Sequence, residues 1–94
     1  MSNYWEMSGA IPLSGKLRHR LDQERGVSFA RASGLRMVAR QRQDGGRAIT
    51  DFRVFDPASV GDTAGEPRRY DDVDAGAILY AGHIEPDGTI FLSA

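Results

Sequence analysis

Apolar and polar positions alternate most regularly in two stretches, Leu35–Phe55 and Ala77–Ser93, and each stretch is interrupted at its middle by turn-forming residues. Alternation with a period of two is the signature of strands, and a turn between two such runs predicts a β-hairpin. In the first stretch the turn falls at Asp44-Gly45, a preferred pair where both central residues take positive φ. With those two as the loop, Gln41 faces Ala48, Ala39 faces Thr50, Met37 faces Phe52 and Leu35 faces Val54. A four-residue loop from Gln43 to Gly46 gives the same pairing. One face is then mostly apolar, and the other carries Arg36, Val38, Arg40 and Arg42 opposite Arg53, Asp51, Ile49 and Arg47. A slip by one residue would set Met37 against Arg53, so the hydrophobic pattern opposes it.

The second stretch turns at Glu85-Pro86-Asp87-Gly88, where proline presets φ and glycine accepts the left-handed conformation. Placing Glu85 opposite Thr89 pairs Ile84 with Ile90 and His83 with Phe91. One face then holds Ile78, Tyr80, Ile84, Ile90 and Leu92, and the other Leu79, Ala81, His83 and Phe91. Both are largely apolar, which predicts strands central to a sheet or covered on both sides. Gly82, inside the run, predicts a bulge or a close backbone approach.

A period near four replaces the period of two in the N-terminal third. Leu13, Leu17 and Leu21 predict a short amphipathic helix over about 15–25, with Ser14 as N-cap and Gly26 as C-cap. Tyr4–Met7 and Val27–Arg31 read as further short strands, the latter leading into a turn at Ser33-Gly34. Between the hairpins, Asp56-Pro57 predicts a capped single turn through Val60. Residues 61–70 read as a mobile loop. The fold class is α+β, mainly antiparallel β: a small sheet or partly open barrel built on hairpins 35–55 and 77–93 with one N-terminal helix, in a single domain spanning 1–94.

Composition changes this picture in two ways. The 94 residues include no cysteine, which excludes a disulfide scaffold, a cysteine-ligated metal and a thiol nucleophile. It also suits a cytoplasmic protein. No run approaches a membrane span, and the first thirteen residues do not read as a signal peptide. A chain this short has a thin stability margin, and association with a second copy is a common remedy.

The net charge of −1 conceals a division. Residues 1–47 carry nine basic and four acidic side chains, and residues 48–94 carry three basic and nine acidic ones. A basic half beside an acidic half predicts either a surface for an anionic partner or two halves that pair within one fold. Eleven of the twelve cations are arginine, so arginine abundance alone is weak evidence for phosphate binding.

Three groups are candidates for chemistry. Arg36, Arg40, Arg42, Arg47 and Arg53 share one hairpin face and would suit phosphates, although an aromatic platform for bases is nearly absent there. A solvated or internally paired face is the preferred reading. His83 and Glu85 lie on one strand face and would form a weak catalytic pair, lacking any recognisable nucleophile elbow. Asp71, Asp72 and Asp74, with Asp87 on a separate turn, do not match a calcium loop, so no metal or other cofactor is expected. His19, between Arg18 and Arg20, is expected on the exposed helix face. Tyr4, Trp5 and Met7 form an apolar terminal group suited to docking on the domain or on another chain.

The function expected from these features is a small non-enzymatic binding or accessory module acting through protein–protein contacts, as a homodimer. The alternatives are an RNA- or DNA-binding domain using the arginine face, and a small enzyme with a His83/Glu85 pocket.

Overall fold

Two glycines with positive φ, Gly45 (59°) and Gly46 (86°), form the two-residue turn of the first hairpin. The turn is therefore one residue later than Asp44-Gly45. A type I′ turn needs positive φ at both central residues, and two glycines meet that need without the cost Asp44 would bear. The pairing moves by two places: Met37 lies opposite Val54, Ala39 opposite Phe52, Arg40 opposite Asp51 and Asp44 opposite Arg47. An even shift leaves every side chain on its expected face. It also removes two like-charge pairs, Arg42–Arg47 and Arg36–Arg53, that the earlier turn would have imposed.

A computed structural model of the chain describes residues 5–6, 10–13, 15–25, 34–59, 67 and 69–93. Its strands are β1 (Trp5–Glu6), β2 (Ile11–Pro12), β3 (Arg36–Asp44), β4 (Arg47–Phe55), β5 (Ile78–Ile84) and β6 (Ile90–Leu92), with one helix, α1 (Gly15–Arg25). All pairings are antiparallel, in the order β1-β3-β4-β5-β6, and β2 also pairs with β3. The sheet stays open rather than closing into a barrel. Tyr4, Met7, Ser14, Gly26, Val27–Arg31, Ser33, Val60 and residues 61–66 and 68 of the expected loop lie outside the described residues.

The leucine repeat does what its spacing predicts. Leu13, Leu17 and Leu21 are buried against Leu35, Ala39, Phe52 and Val54, so α1 covers one face of the sheet. Met37, Tyr80, Ile84, Ile90 and Leu92 extend that core. On the opposite face Val38 and Phe55 pack with Ala10, Val73, Ala77 and Ile78. This second core is roofed by the connection between the hairpins, through single 3₁₀ turns at Tyr70–Asp72 and Ala75–Ala77. At the end of the expected 61–70 loop, Pro67 and Tyr70 are buried. The capped turn after β4 is present at Pro57–Ser59, with Asp56 accepting from the Ala58 N–H at 3.0 Å.

The second hairpin has the expected register: Ile84 pairs with Ile90, His83 with Phe91, and Gly88 has φ of 91°. Two expectations about its faces are corrected. Val54 pairs with Tyr80 but Phe55 pairs with Ile78, so Leu79 is an extra residue in β5. The irregularity turns Ile78 to the roofed face while Tyr80 stays on the helix side. The roof also stops at Ile78 and does not reach Leu79 of β5 or Phe91 of β6. Leu79 and Phe91 are 49% and 48% exposed, so this end is covered on one side rather than two.

Gly82 marks a close approach. A Cβ there would overlap the Phe91 carbonyl oxygen and stand 3.0 Å from the Leu92 Cα. Backbone cannot swing aside as a side chain can. Gly82→Ala is expected to cost at least ~1–3 kcal/mol and to free β6 first. Urea melts would show the loss, and hydrogen exchange would show early loss of protection at the β6 amides.

Candidate functional site

The face opposite α1 gathers the arginines. Residues of one face recur at every second position, so β3 presents Arg40 and Arg42 there while β4 presents Arg47, Asp51 and Arg53. Asp51 sits at the centre, with its side chain only 10% exposed. One of its oxygens, Oδ2, accepts from Arg40 Nε at 3.1 Å and from Arg42 Nε at 2.9 Å. Two charge-assisted hydrogen bonds make burial of this carboxylate tolerable.

The connection closes over the same group. Arg40 and Arg53 flank the Tyr70 ring, with guanidinium carbons 4.2 and 3.9 Å from its centroid. Arg53 Nη1 donates to the Tyr70 carbonyl at 2.8 Å. Asp71 Oδ1 lies 3.6 Å from Arg53 Nη1 and 3.8 Å from Arg40 Nη1. Farther along, Arg47 binds Glu85 at 2.9 Å and lies 3.5 Å from Asp44, and Arg36 donates to the Ala10 carbonyl. Arg40, Arg42, Arg47 and Arg53 are thus matched by Asp44, Asp51, Asp71 and Glu85. Three of these cations come from the basic half and three of the acids from the acidic half.

His83 and Glu85 come together loosely. His83 Nε2 is 3.7 Å from Glu85 Oε1, and Glu85 is held through its other oxygen by Arg47. The imidazole stacks on Phe91, with centroids 5.1 Å apart and planes inclined by 19°. A cavity of about 360 Å³ next to Glu85 is lined by Arg47, Pro86, Asp87, Thr89 and Phe91. Thr89 is the hydroxyl-bearing residue of that lining, and its N–H is engaged with Asp87 at 2.9 Å. This arrangement braces the hairpin end.

The aspartate group divides among separate tasks. Asp72 accepts from the Arg69 N–H at 3.0 Å, Asp71 faces the arginines, and Asp74 precedes the Ala75–Ala77 turn. Among the described residues no group of three or more His, Asp or Glu is placed to hold a metal ion. His19 is exposed on α1, as expected. Trp5 belongs to β1, whose backbone pairs with Gln41 and Arg40 of β3.

That pairing places β1 and β2 at one margin of the sheet. β1 and β2 line the outer side of β3, whereas β6 ends the strand order on the other side. The Glu85 N–H donates to the Thr89 carbonyl at 2.9 Å, and the Ser93 N–H to the Ala81 carbonyl at 2.8 Å. Bonded pairs alternate in an antiparallel ladder. Ile90 and Leu92 therefore direct their N–H and C=O groups away from β5, on either side of the exposed Phe91. Sequence reading missed Tyr70 and Asp71 as the cover of the arginine face, and β6 as the last strand in the order among the described residues. The like-charge pairs in the expected register were a signal that would have pointed to Asp51.

Comparison with known protein families, with curated proteins and with solved structures finds no match to this chain. Among the described residues no helix is long and apolar enough to cross a membrane.

Proposed function

We propose that this chain is a non-enzymatic binding module that docks a polypeptide on the β6 end of its sheet, in the first instance a second copy of itself. The exposure of Phe91, beside an edge strand with outward backbone donors and acceptors, carries this reading. Among the described residues the large apolar side chains left half exposed are Leu79 and Phe91, both on the last two strands. An unpaired edge is a template for another strand.

The edge is self-complementary. Two β6 strands laid antiparallel about a two-fold axis at Phe91 place Ile90 opposite Leu92 of the partner subunit. Four backbone hydrogen bonds then form around the apposed phenyl rings. A three-residue edge buries far less than the ~1,600 Å² of a standard stable interface, so the association is weak and reversible. The arginine face gives less support to nucleic-acid binding, because four of its cations already face four carboxylates.

Sedimentation equilibrium over a concentration series tests the reading. Wild type is expected to move from monomer to dimer as concentration rises. Phe91→Asp is expected to stay monomeric with an unchanged melting temperature, since an exposed substitution costs little folding stability. A wild-type mass that stays monomeric throughout, or a Phe91→Asp variant that dimerises equally, would overturn it.

A further inference from the structure

On the helix side of the same hairpin, a groove of about 440 Å³ runs between α1 and the β5–β6 turn. Its floor includes Met37, Ile84 and Ile90, each partly buried and packed on the main core from the other side. One rim is formed by Lys16 and Arg20, four positions apart on α1 and so one above the other on the same face. The other rim is the hairpin turn, where Asp87 accepts from the Thr89 N–H at 2.9 Å. That hydrogen bond holds the exposed Asp87 carboxyl below its ordinary range, so it stays ionised.

The rims differ in sign, and that difference selects a ligand. Lys16 and Arg20 stand on the helix side, Lys16 in the first turn of α1 where the helix dipole also favours negative charge. Among the described lining residues the Asp87 carboxylate belongs to the opposite rim and repels an anionic head, which sets its direction. The volume falls within the ~300–1,000 Å³ typical of small-molecule sites, which pair apolar walls with a few placed polar groups. We propose that this groove binds a free amphipathic carboxylate of the fatty-acid class. The head lies between Lys16 and Arg20, and the alkyl chain lies on Met37, Ile84 and Ile90. This site shares Ile90 with the β6 edge but lies on the helix face of the sheet, and its occupancy does not require self-association.

Titration with hexanoate, octanoate and decanoate as monomers, below micelle formation, tests the proposal by calorimetry and by NMR of the Met37, Ile84 and Ile90 methyl groups. Affinity is expected to rise about threefold to fourfold per buried methylene, with shifts centred on those methyls. Decanol is expected to bind about tenfold more weakly, and decylammonium not measurably. Lys16 and Arg20 are exposed, so Lys16→Glu and the Lys16→Glu/Arg20→Glu pair are expected to fold. The double variant is expected to exchange its preference from decanoate to decylammonium, and the single variant to lose part of the decanoate affinity. Four results would each overturn the proposal: no binding of decanoate, equal affinity for decanoate and decanol, no dependence on chain length, or unchanged decanoate affinity in the double variant. Phe91→Asp serves as a control that removes dimerisation and leaves this binding intact.

Discussion

Phe52→Ala is expected to remove about 3–5 kcal/mol of folding stability, the usual cost of emptying a phenyl site in a core. Phe52 is completely buried, on the central strand β4, between Ala39 of β3 and Gly82 of β5. It meets the underside of α1 through the cluster that includes Leu17 and Leu21. The backbone around it is held on both sides by strand pairing, so the cavity cannot collapse easily. Small domains have about 5–15 kcal/mol in total, and this one is at the small end. Urea denaturation should show a midpoint lowered by half or more with little change in slope. Phe91→Ala provides the contrast: a half-exposed phenyl should change stability by under about 0.5 kcal/mol. A small effect at Phe52 would mean that α1 does not pack on the sheet as described.

The second large effect is expected at Asp51. Removing one partner of a buried ion pair leaves the other charge without its counterpart, typically at about 3–5 kcal/mol. Here the remaining guanidiniums of Arg40 and Arg42 keep some access to water, with side chains 27% and 39% exposed. The expected cost of Asp51→Ala is therefore lower, about 2–3 kcal/mol. Arg42→Ala should cost less, about 1 kcal/mol, because Arg40 still holds the carboxylate. Asp51→Ala should also loosen the roof, since Arg40 links Asp51 to Tyr70 and Asp71. Hydrogen exchange would report that as faster exchange at Asp72 and Ala77, whose N–H groups donate to Arg69 and Asp74 carbonyls. An Asp51→Ala variant as stable as wild type would show that the arginines face solvent and that the network contributes nothing.

The two hairpins and the helix were legible because each rests on a short-range signal. Proline and glycine at 86–88 define one turn, and Leu17 and Leu21, in phase with Leu13 just before the helix, define one face of α1. The first hairpin shows where such signals run short. Asp44-Gly45 and Gly45-Gly46 are both acceptable turns, and both keep Met37 and Phe52 on the core face. Hydrophobic patterning cannot separate registers that differ by two residues. The charges can, because only the later turn sets Arg40 beside Asp51 and Asp44 beside Arg47.

By itself the amino-acid order determined the helix, the two hairpins, most of the faces they present and the division into basic and acidic halves. What those halves do to each other depended on packing. Tyr70 and Asp71 lie seventeen and eighteen residues beyond Arg53, and nothing local says that the connection folds back over β3 and β4. Burying Val73, Ala77 and Phe55 together draws it there, and the arginines are then covered by an aromatic ring and carboxylates. The same packing decided which apolar side chains stay outside. Phe91 reads as a core residue beside Ile90 and Leu92, yet the roof ends before reaching it. A connection long enough to cover the central pair of strands does not extend to β6, and among the described residues that shortfall leaves Phe91 half exposed at one margin of the sheet.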